Sequence, residues 1–88
     1  MRDNGVAIEE LRAIRARCDA ATRGPWRAFI EDRDHESGSD FIMTGGPQDR
    51  GPDLEISGAT RADLDFIAHA RQDIPRLLDL IATLSKTR

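Results

Sequence analysis

Residues 60–84 read TRADLDFIAHARQDIPRLLDLIATL, and this stretch decides the fold class of the 88-residue chain. Its apolar residues recur three and four positions apart, as in an amphipathic helix that buries one face. Thr60 and Asp63 have the spacing of a capping box, which predicts that the helix begins after Thr60. Because Pro75 would cost about 3 kcal/mol in a helix interior, we favour two segments with a break near Arg71–Pro75. One kinked helix is the alternative.

The N-terminal part of the chain predicts another amphipathic helix, over residues 6–22. The apolar residues of its stripe, three or four positions apart, are Ile8, Leu11, Ile14, Cys18 and Ala21. Gly24 followed by Pro25 is a stop signal, since glycine can adopt the left-handed conformation after a helix and proline cannot continue it. Gly24 is therefore a candidate for the left-handed position after the helix.

The middle of the chain, residues 26–58, predicts three short strands joined by polar, glycine- and proline-containing loops. The strand candidates are residues 26–31, 41–44 and 54–57. Short connections favour an antiparallel meander of neighbouring strands. The sequence thus predicts one small α+β domain over residues 1–88, in which an N-terminal and a C-terminal helix cover one face of the sheet.

Composition limits the protein class. Apolar residues make up 39% of the chain and charged residues 33%, which is typical of a globular domain. No apolar run approaches the roughly 18 residues of a membrane span, and no signal peptide is apparent near the N-terminus. Cys18 is the only cysteine, so we expect no disulfide framework and a reducing, cytoplasmic location.

Charge is unevenly distributed along the sequence. The net charge is −3, but residues 26–58 hold eight acidic and three basic residues, or −5, and the flanking segments are each +1. Without a basic stripe we do not expect nucleic acid binding. We expect instead an acidic sheet and loop surface that binds a protein partner. The candidate acidic residues are Asp32, Asp34, Glu36 and Asp40.

The chemistry-bearing residues do not form a recognisable catalytic or cofactor site. The acidic loop lacks the glycine and the final glutamate of an EF-hand. Cys18 lies on the apolar stripe of the first helix, as an inert buried thiol would, and no Gly-x-Ser-x-Gly motif is present. We therefore expect a non-enzymatic protein with no metal and no cofactor.

Two further surfaces are candidates for binding. Trp26, the only tryptophan, is expected to fill the core between the first helix and the first strand, or to anchor an interface if it is partly exposed. Leu80 widens the apolar face of the last helix, which is a candidate homodimer interface. The alternative function is a small-ligand site at such a dimer seam, near Trp26, His69 and Arg71.

Three motifs resemble a known family. Residues 20–26, AATRGPW, resemble the A-A-T-P-G-P-W stretch of small phage and prophage proteins of the Ead-like family, with Arg23 in place of proline. Residues 63–71, DLDFIAHAR, are similar to the N-A-x-F-I-A-x-A element of this family. Residues 73–79, DIPRLLD, resemble the D-x-P-x-L-L ending of bacterial and actinophage relatives. The resemblance implies a phage or prophage accessory protein and carries over no catalytic residues.

Overall fold

The computed structural model describes residues 4–86, with side chains from residue 7 onward. Its elements, in chain order, are helix α1 (Asn4–Ala20), the strands β1 (Trp26–Phe29), β2 (Phe41–Gly46) and β3 (Asp49–Arg50), and helix α2 (Arg61–Lys86). The strands form one antiparallel sheet in the order β1-β2-β3. The α+β class and the three-stranded meander are therefore confirmed.

The core lies between the sheet and the first half of α2. Ile42 at the centre of β2 is fully buried, and it packs with Ile30 and with Leu64 and Ala68 of α2. Leu64 and Ala68 are four residues apart and so share one helix face. This face covers β1 and β2.

α2 begins at the predicted capping box. The Asp63 backbone N–H donates to the Thr60 hydroxyl oxygen at 3.0 Å, and the Thr60 N–H donates to the Asp63 carboxylate at 3.0 Å. The preferred break near Arg71–Pro75 is wrong, because α2 continues through Pro75 as one helix. Pro75 removes only one backbone donor, and the part of α2 after it is held to the rest of the chain through buried Leu78 and the Arg15–Asp79 ion pair.

α1 packs against α2. The Thr22 carbonyl after α1 accepts a hydrogen bond from Arg71, and Arg15 pairs with Asp79 at 2.7 Å. Since lower numbers on α1 meet higher numbers on α2, the two helices are antiparallel. α2 contacts β1 and β2, whereas α1 contacts α2 and no strand among the described elements. The expectation that both helices cover one sheet face is therefore not confirmed.

The α1–β1 connection differs from the prediction. α1 ends at Ala20, two residues before the predicted end, and the Gly24–Pro25 peptide bond is cis. Gly24 does not have the positive φ of a left-handed cap. Glycine instead allows α2 to approach closely, because a Cβ at this position would lie 3.4 Å from the side chains of Arg71 and Gln72.

The third strand is displaced from the predicted residues 54–57. β2 and β3 form a tight hairpin in which Gly46 pairs with Asp49 and Gly45 with Arg50. Gly45 has a φ of 82°, and a Cβ there would overlap the Asp49 carbonyl. Only Leu54 of the predicted strand pairs with the sheet, through mutual backbone hydrogen bonds with Ile42 at 2.8 Å.

A one-residue bulge separates these two pairings. Two residues lie between the paired positions Ile42 and Gly45, and three lie between their partners Leu54 and Arg50. Thr44 spans the bulge: its carbonyl accepts from the Gly51 N–H at 2.9 Å and its buried hydroxyl donates to the Pro52 carbonyl at 2.6 Å.

The described chain is elongated. Its radius of gyration is 16.3 Å and its longest extent 53 Å, where a compact chain of this length would have a radius of about 12 Å. We call residues 24–72, with the sheet and the first part of α2, the sheet end. We call α1 with residues 73–86 of α2 the two-helix arm.

Candidate interaction surfaces

The acidic loop after β1 is held by its own carboxylates. Asp34 accepts a hydrogen bond from the Ile30 N–H at 2.9 Å, and Asp40 accepts one from the Glu31 N–H at 2.8 Å. The Ile30 carbonyl in turn accepts from the Asp34 N–H at 2.7 Å. Two of the four predicted interaction acids, Asp34 and Asp40, therefore fold the loop.

The other two predicted acids face solvent. Asp32 and Glu36 are exposed, and Asp32 has a φ of 70°, which an aspartate tolerates better than most residues. Elsewhere in the sheet segment, Asp49 pairs with Arg23 and Asp53 with Arg50. Four of the eight acidic residues in the segment thus bond to other parts of the chain, which reduces the charge available to a partner.

Arg33 ties the loop to α2. Its Nη1 and Nη2 donate to the two Asp65 carboxylate oxygens at 2.9 and 3.1 Å, and its Nε donates to Asp34 at 3.0 Å. The hydrogen bonds from Arg33 lower the pKa of both carboxyls, and the Ile30 N–H adds to the effect on Asp34. The same bonds raise the pKa of Arg33. The guanidinium of Arg33 is therefore hydrogen-bonded to two carboxylates of the same chain.

An aromatic cluster lies on the other side of the loop. The ring of Phe29 stacks on His35 with centroids 6.0 Å apart, and Phe41 lies 5.6 Å from Phe29. His35 Nδ1 is 2.9 Å from the Ser37 carbonyl, so that nitrogen is the donor. Its Nε2 is buried without a hydrogen-bond partner among the described residues. His35 therefore packs between rings and presents no accessible nitrogen.

Trp26 lies where α1, β1 and α2 meet. It is half-buried and packs on the core. Its indole N–H donates to the Thr22 carbonyl at 3.1 Å, to which Arg71 also donates at 2.9 Å. The Gln72 side chain accepts from the Trp26 backbone N–H at 2.7 Å and donates to its carbonyl at 3.2 Å. The motifs GPW and HARQ are thus bonded to each other at this point.

His69 does not join Trp26 and Arg71. Residues two apart on a helix point about 200° from each other, so His69 and Arg71 lie on different sides of α2. His69 is exposed, and its Nδ1 is 2.9 Å from the Asp65 carbonyl. The three residues of the predicted ligand site therefore do not converge in one copy of the chain.

A groove runs between the end of α1 and α2 beside Trp26. Its volume is about 300 Å³, and its walls include Cys18, Trp26, Phe66, Arg71 and Ile74. The walls are largely apolar, and Cys18 is half-buried among them. The groove is at the lower limit of the roughly 300–1,000 Å³ of small-molecule sites.

An exposed apolar stripe follows α2 on the side away from the sheet. Leu77 and Leu84, seven residues apart, lie along its centre and are 56% and 65% exposed. Phe66, 74% exposed, lies 11 residues before Leu77 and so on the same central line. Ile74 and Ile81 form one flank, and Leu80 forms the other. Their helical angles are roughly opposite those of Leu64 and Ala68. The sequence analysis noted the width through Leu80 but missed Phe66; the available signal was its separation of 11 residues from Leu77, which is close to three helical turns.

The arm buries almost nothing by itself. Within residues 7–20 of α1 no side chain is buried, and Leu78 is the one buried residue of the described arm. Leu11, Ile14 and Cys18 are half-buried against α2. Two helices alone enclose little volume, so their apolar side chains stay partly in water.

The described residues contain no group of three or more histidine, cysteine, aspartate or glutamate side chains that could hold a metal ion. Within residues 4–86, neither helix has the length and apolar character needed to cross a bilayer.

Comparisons with protein-family models, curated proteins and solved structures gave no match for this chain. The resemblance to the Ead-like family therefore stays a prediction from the three motifs.

Proposed function

We propose that this chain is a non-enzymatic protein-interaction module that docks through the apolar stripe of α2. The observation that carries the proposal is the row of exposed Phe66, Leu77 and Leu84 on one helix face. Single exposed apolar residues are ordinary, but a contiguous apolar row on a small protein marks an interaction site. Burial of such side chains in a partner is stabilised by the hydrophobic effect.

The stripe is a better-supported interface than the acidic loop. Asp34 and Asp40 are occupied by backbone and arginine partners, which leaves Asp32 and Glu36 as the exposed carboxylates of the original four. A few exposed charges contribute mainly to association rate. We therefore assign the acidic surface a role in orienting a basic partner, and the stripe the role of holding it.

Two features of the sequence support a proposal for the origin and location of the protein. The motif resemblance supports a phage or prophage accessory protein, and Cys18, the only cysteine, supports a cytoplasmic location.

Capture from a bacterial lysate tests the stripe. The immobilised chain is compared with Leu77→Glu, which places a charge at the stripe centre, and with Ile56→Glu, a matched change at an exposed apolar residue of the sheet end. We expect wild type and Ile56→Glu to retain the same protein and Leu77→Glu to lose it.

Repeating the capture at low and high salt distinguishes binding through the apolar stripe from binding through the acidic surface. Apolar docking persists at high ionic strength, whereas binding to exposed carboxylates is screened. Retention of nothing by wild type, or the same proteins on all three baits, would contradict docking through the stripe. Loss of the bound protein in high salt alone would assign binding to the acidic surface.

A small apolar ligand is the second candidate, favoured by the groove beside Trp26 and Phe66. A bound ligand raises the thermal midpoint by mass action. A library of small apolar and aromatic compounds that shifts wild type but not Phe66→Ala would support this function, and a flat profile would contradict it.

A further inference from the structure

From the stripe of α2 we infer a specific partner: a second copy of this chain, whose α2 packs antiparallel on the first about a two-fold axis near Pro75. The inference rests on the proposed docking through this stripe and names its occupant. It is carried by three features, namely the spacing of the stripe, its area and the charges beside it.

Apolar residues of the stripe recur every seven residues, as they do in helices that pack along one another. Leu77 and Leu84 are seven residues apart, and so are Ile74 and Ile81. All four side chains are exposed. Two such apolar series, offset by three residues, form a seam along which one helix can pack on another. Such a stripe is complementary to itself, which is the requirement of a two-fold interface.

The available area matches a dimer. Residues 66–84 extend about 27 Å along α2, and the layer of α1 and α2 is about 20 Å wide, so each copy offers roughly 500 Å². Two copies together reach the approximately 1,000 Å² expected of a specific interface. The sheet does not obstruct this face, because it packs on Leu64 and Ala68 across the helix.

The charges select the antiparallel direction. Asp73 and Arg76 lie beside the stripe on one flank, and neither takes part in an ion pair within the described part of one copy. The midpoint of residues 66–84 is residue 75, so a two-fold axis there brings Asp73 beside Arg76 of the second copy, twice. A two-fold axis parallel to the helices would instead carry Asp73 and Arg76 of the second copy to the opposite flank, where these pairs cannot form.

If two arms pack together, the apolar side chains that one arm leaves in water become buried. Side chains that are exposed in one copy, among them Ile74 and Ile81, would lie between the two α1–α2 layers, with α2 packed on α2 and α1 beside it in each copy. The product is a four-helix bundle with a sheet at each end.

Sedimentation equilibrium on the purified chain gives the first test. We expect a mass about twice the 9.8 kDa of one chain, falling to one chain in Leu77→Glu with an unchanged far-ultraviolet circular dichroism spectrum, and unchanged in Ile56→Glu. A single-chain mass at every attainable concentration, or a dimer that survives Leu77→Glu, would overturn the inference.

Charge reversal tests the direction of the helices. Asp73→Arg and Arg76→Asp should each weaken the dimer by about tenfold, and the double variant should restore it, because the pairs re-form with exchanged partners. Single reversals that leave dimerisation unchanged would overturn the antiparallel arrangement.

The two proposals fail separately. A monomeric wild type that still captures another protein through Leu77 would keep the proposed function and remove the second copy as the occupant. A monomeric wild type that captures nothing would contradict both.

Discussion

The sheet end and the two-helix arm differ in how much each can bury. Of the seven buried residues among positions 7–86, six belong to the sheet end and Leu78 belongs to the arm. Both regions have apolar residues at regular spacing, so pattern alone does not distinguish them. A sheet covered by a helix encloses a core, whereas two helices side by side leave their outer faces in water.

The comparison locates stability and binding in different parts of the molecule. Ile30 and Ile42 are completely buried, so the sheet end folds around contacts of its own. Large apolar side chains of the arm are exposed to solvent. Contact with a partner would therefore bury more apolar surface at the arm than at the sheet end. Substitutions that act on one region and spare the other test this separation.

The largest effect is expected at the centre of the sheet. Ile42→Ala removes a fully buried side chain of β2 and should lower the free energy of unfolding by about 3 kcal/mol. Urea denaturation followed by circular dichroism, at a concentration low enough to keep the chain monomeric, measures the change. Leu77→Ala in the arm is the control, and its effect should stay within about 0.5 kcal/mol. Equal losses in both variants would refute the separation.

A change of opposite sign is expected within the arm. Pro75 lies inside α2 and cannot donate to the Arg71 carbonyl. Pro75→Ala supplies that donor, which stabilises the helix. The alanine variant also has a more flexible unfolded chain, which offsets part of the gain. The free energy of unfolding should therefore rise by about 2 kcal/mol. Thermal and urea unfolding measure the gain, with Pro52→Ala outside the helices as the control. A loss of stability would show that the arm depends on the proline ring.

A smaller effect is expected at the bulge. Thr44→Val keeps the shape of a buried side chain and removes the hydroxyl that donates to the Pro52 carbonyl. The unfolding free energy should fall by about 1 kcal/mol. Thr22→Val makes the same chemical change at an exposed threonine beside the arm and should have little effect. If the two variants lose equal stability, the bulge bond contributes nothing measurable.

Local signals in the sequence predicted the fold class. Thr60 and Asp63 form the expected capping box because both partners lie within one turn. The break at Pro75 was wrong because packing against the rest of the chain outweighs a local preference. The third strand was misplaced because Gly45 and Gly46 permit an earlier turn than the apolar pattern of residues 54–57 suggested.

The candidate surfaces were predicted less well. The acids of the loop were identified by charge, but which of them find partners depends on Arg33 and on backbone donors near Ile30, and sequence does not give these distances. Trp26 was placed correctly beside the core, since GPW comes directly after a helix. Phe66 is exposed because it lies on the face of α2 opposite Leu64 and Ala68, and which face the sheet covers is determined by three-dimensional packing.

The smallest effect is expected from pH and confined to the sheet end. The pKa of Asp34 and that of Asp65 are lower in the folded chain than their ordinary value of 3.8, because both carboxylates accept hydrogen bonds from Arg33. The unfolded chain therefore binds more protons as pH falls through 3.8. The stabilisation is complete above that pH and is lost as the pH approaches the folded values.

Arg33→Gln removes the part of this contribution that comes from Arg33 and leaves the bond from the Ile30 N–H to Asp34. The thermal midpoint, measured from neutral pH down to below 3.8, should fall less steeply in Arg33→Gln than in wild type, and the two curves should meet at the acid end. Arg12→Gln, which removes an equal charge from α1, controls for net charge and should keep the wild-type slope. Because the bonds of Arg33 lie at the surface, their effect should be small. A variant curve parallel to that of wild type would mean that solvent screens the Arg33 bonds completely, and that the loop is held by the Asp34 and Asp40 bonds to backbone alone.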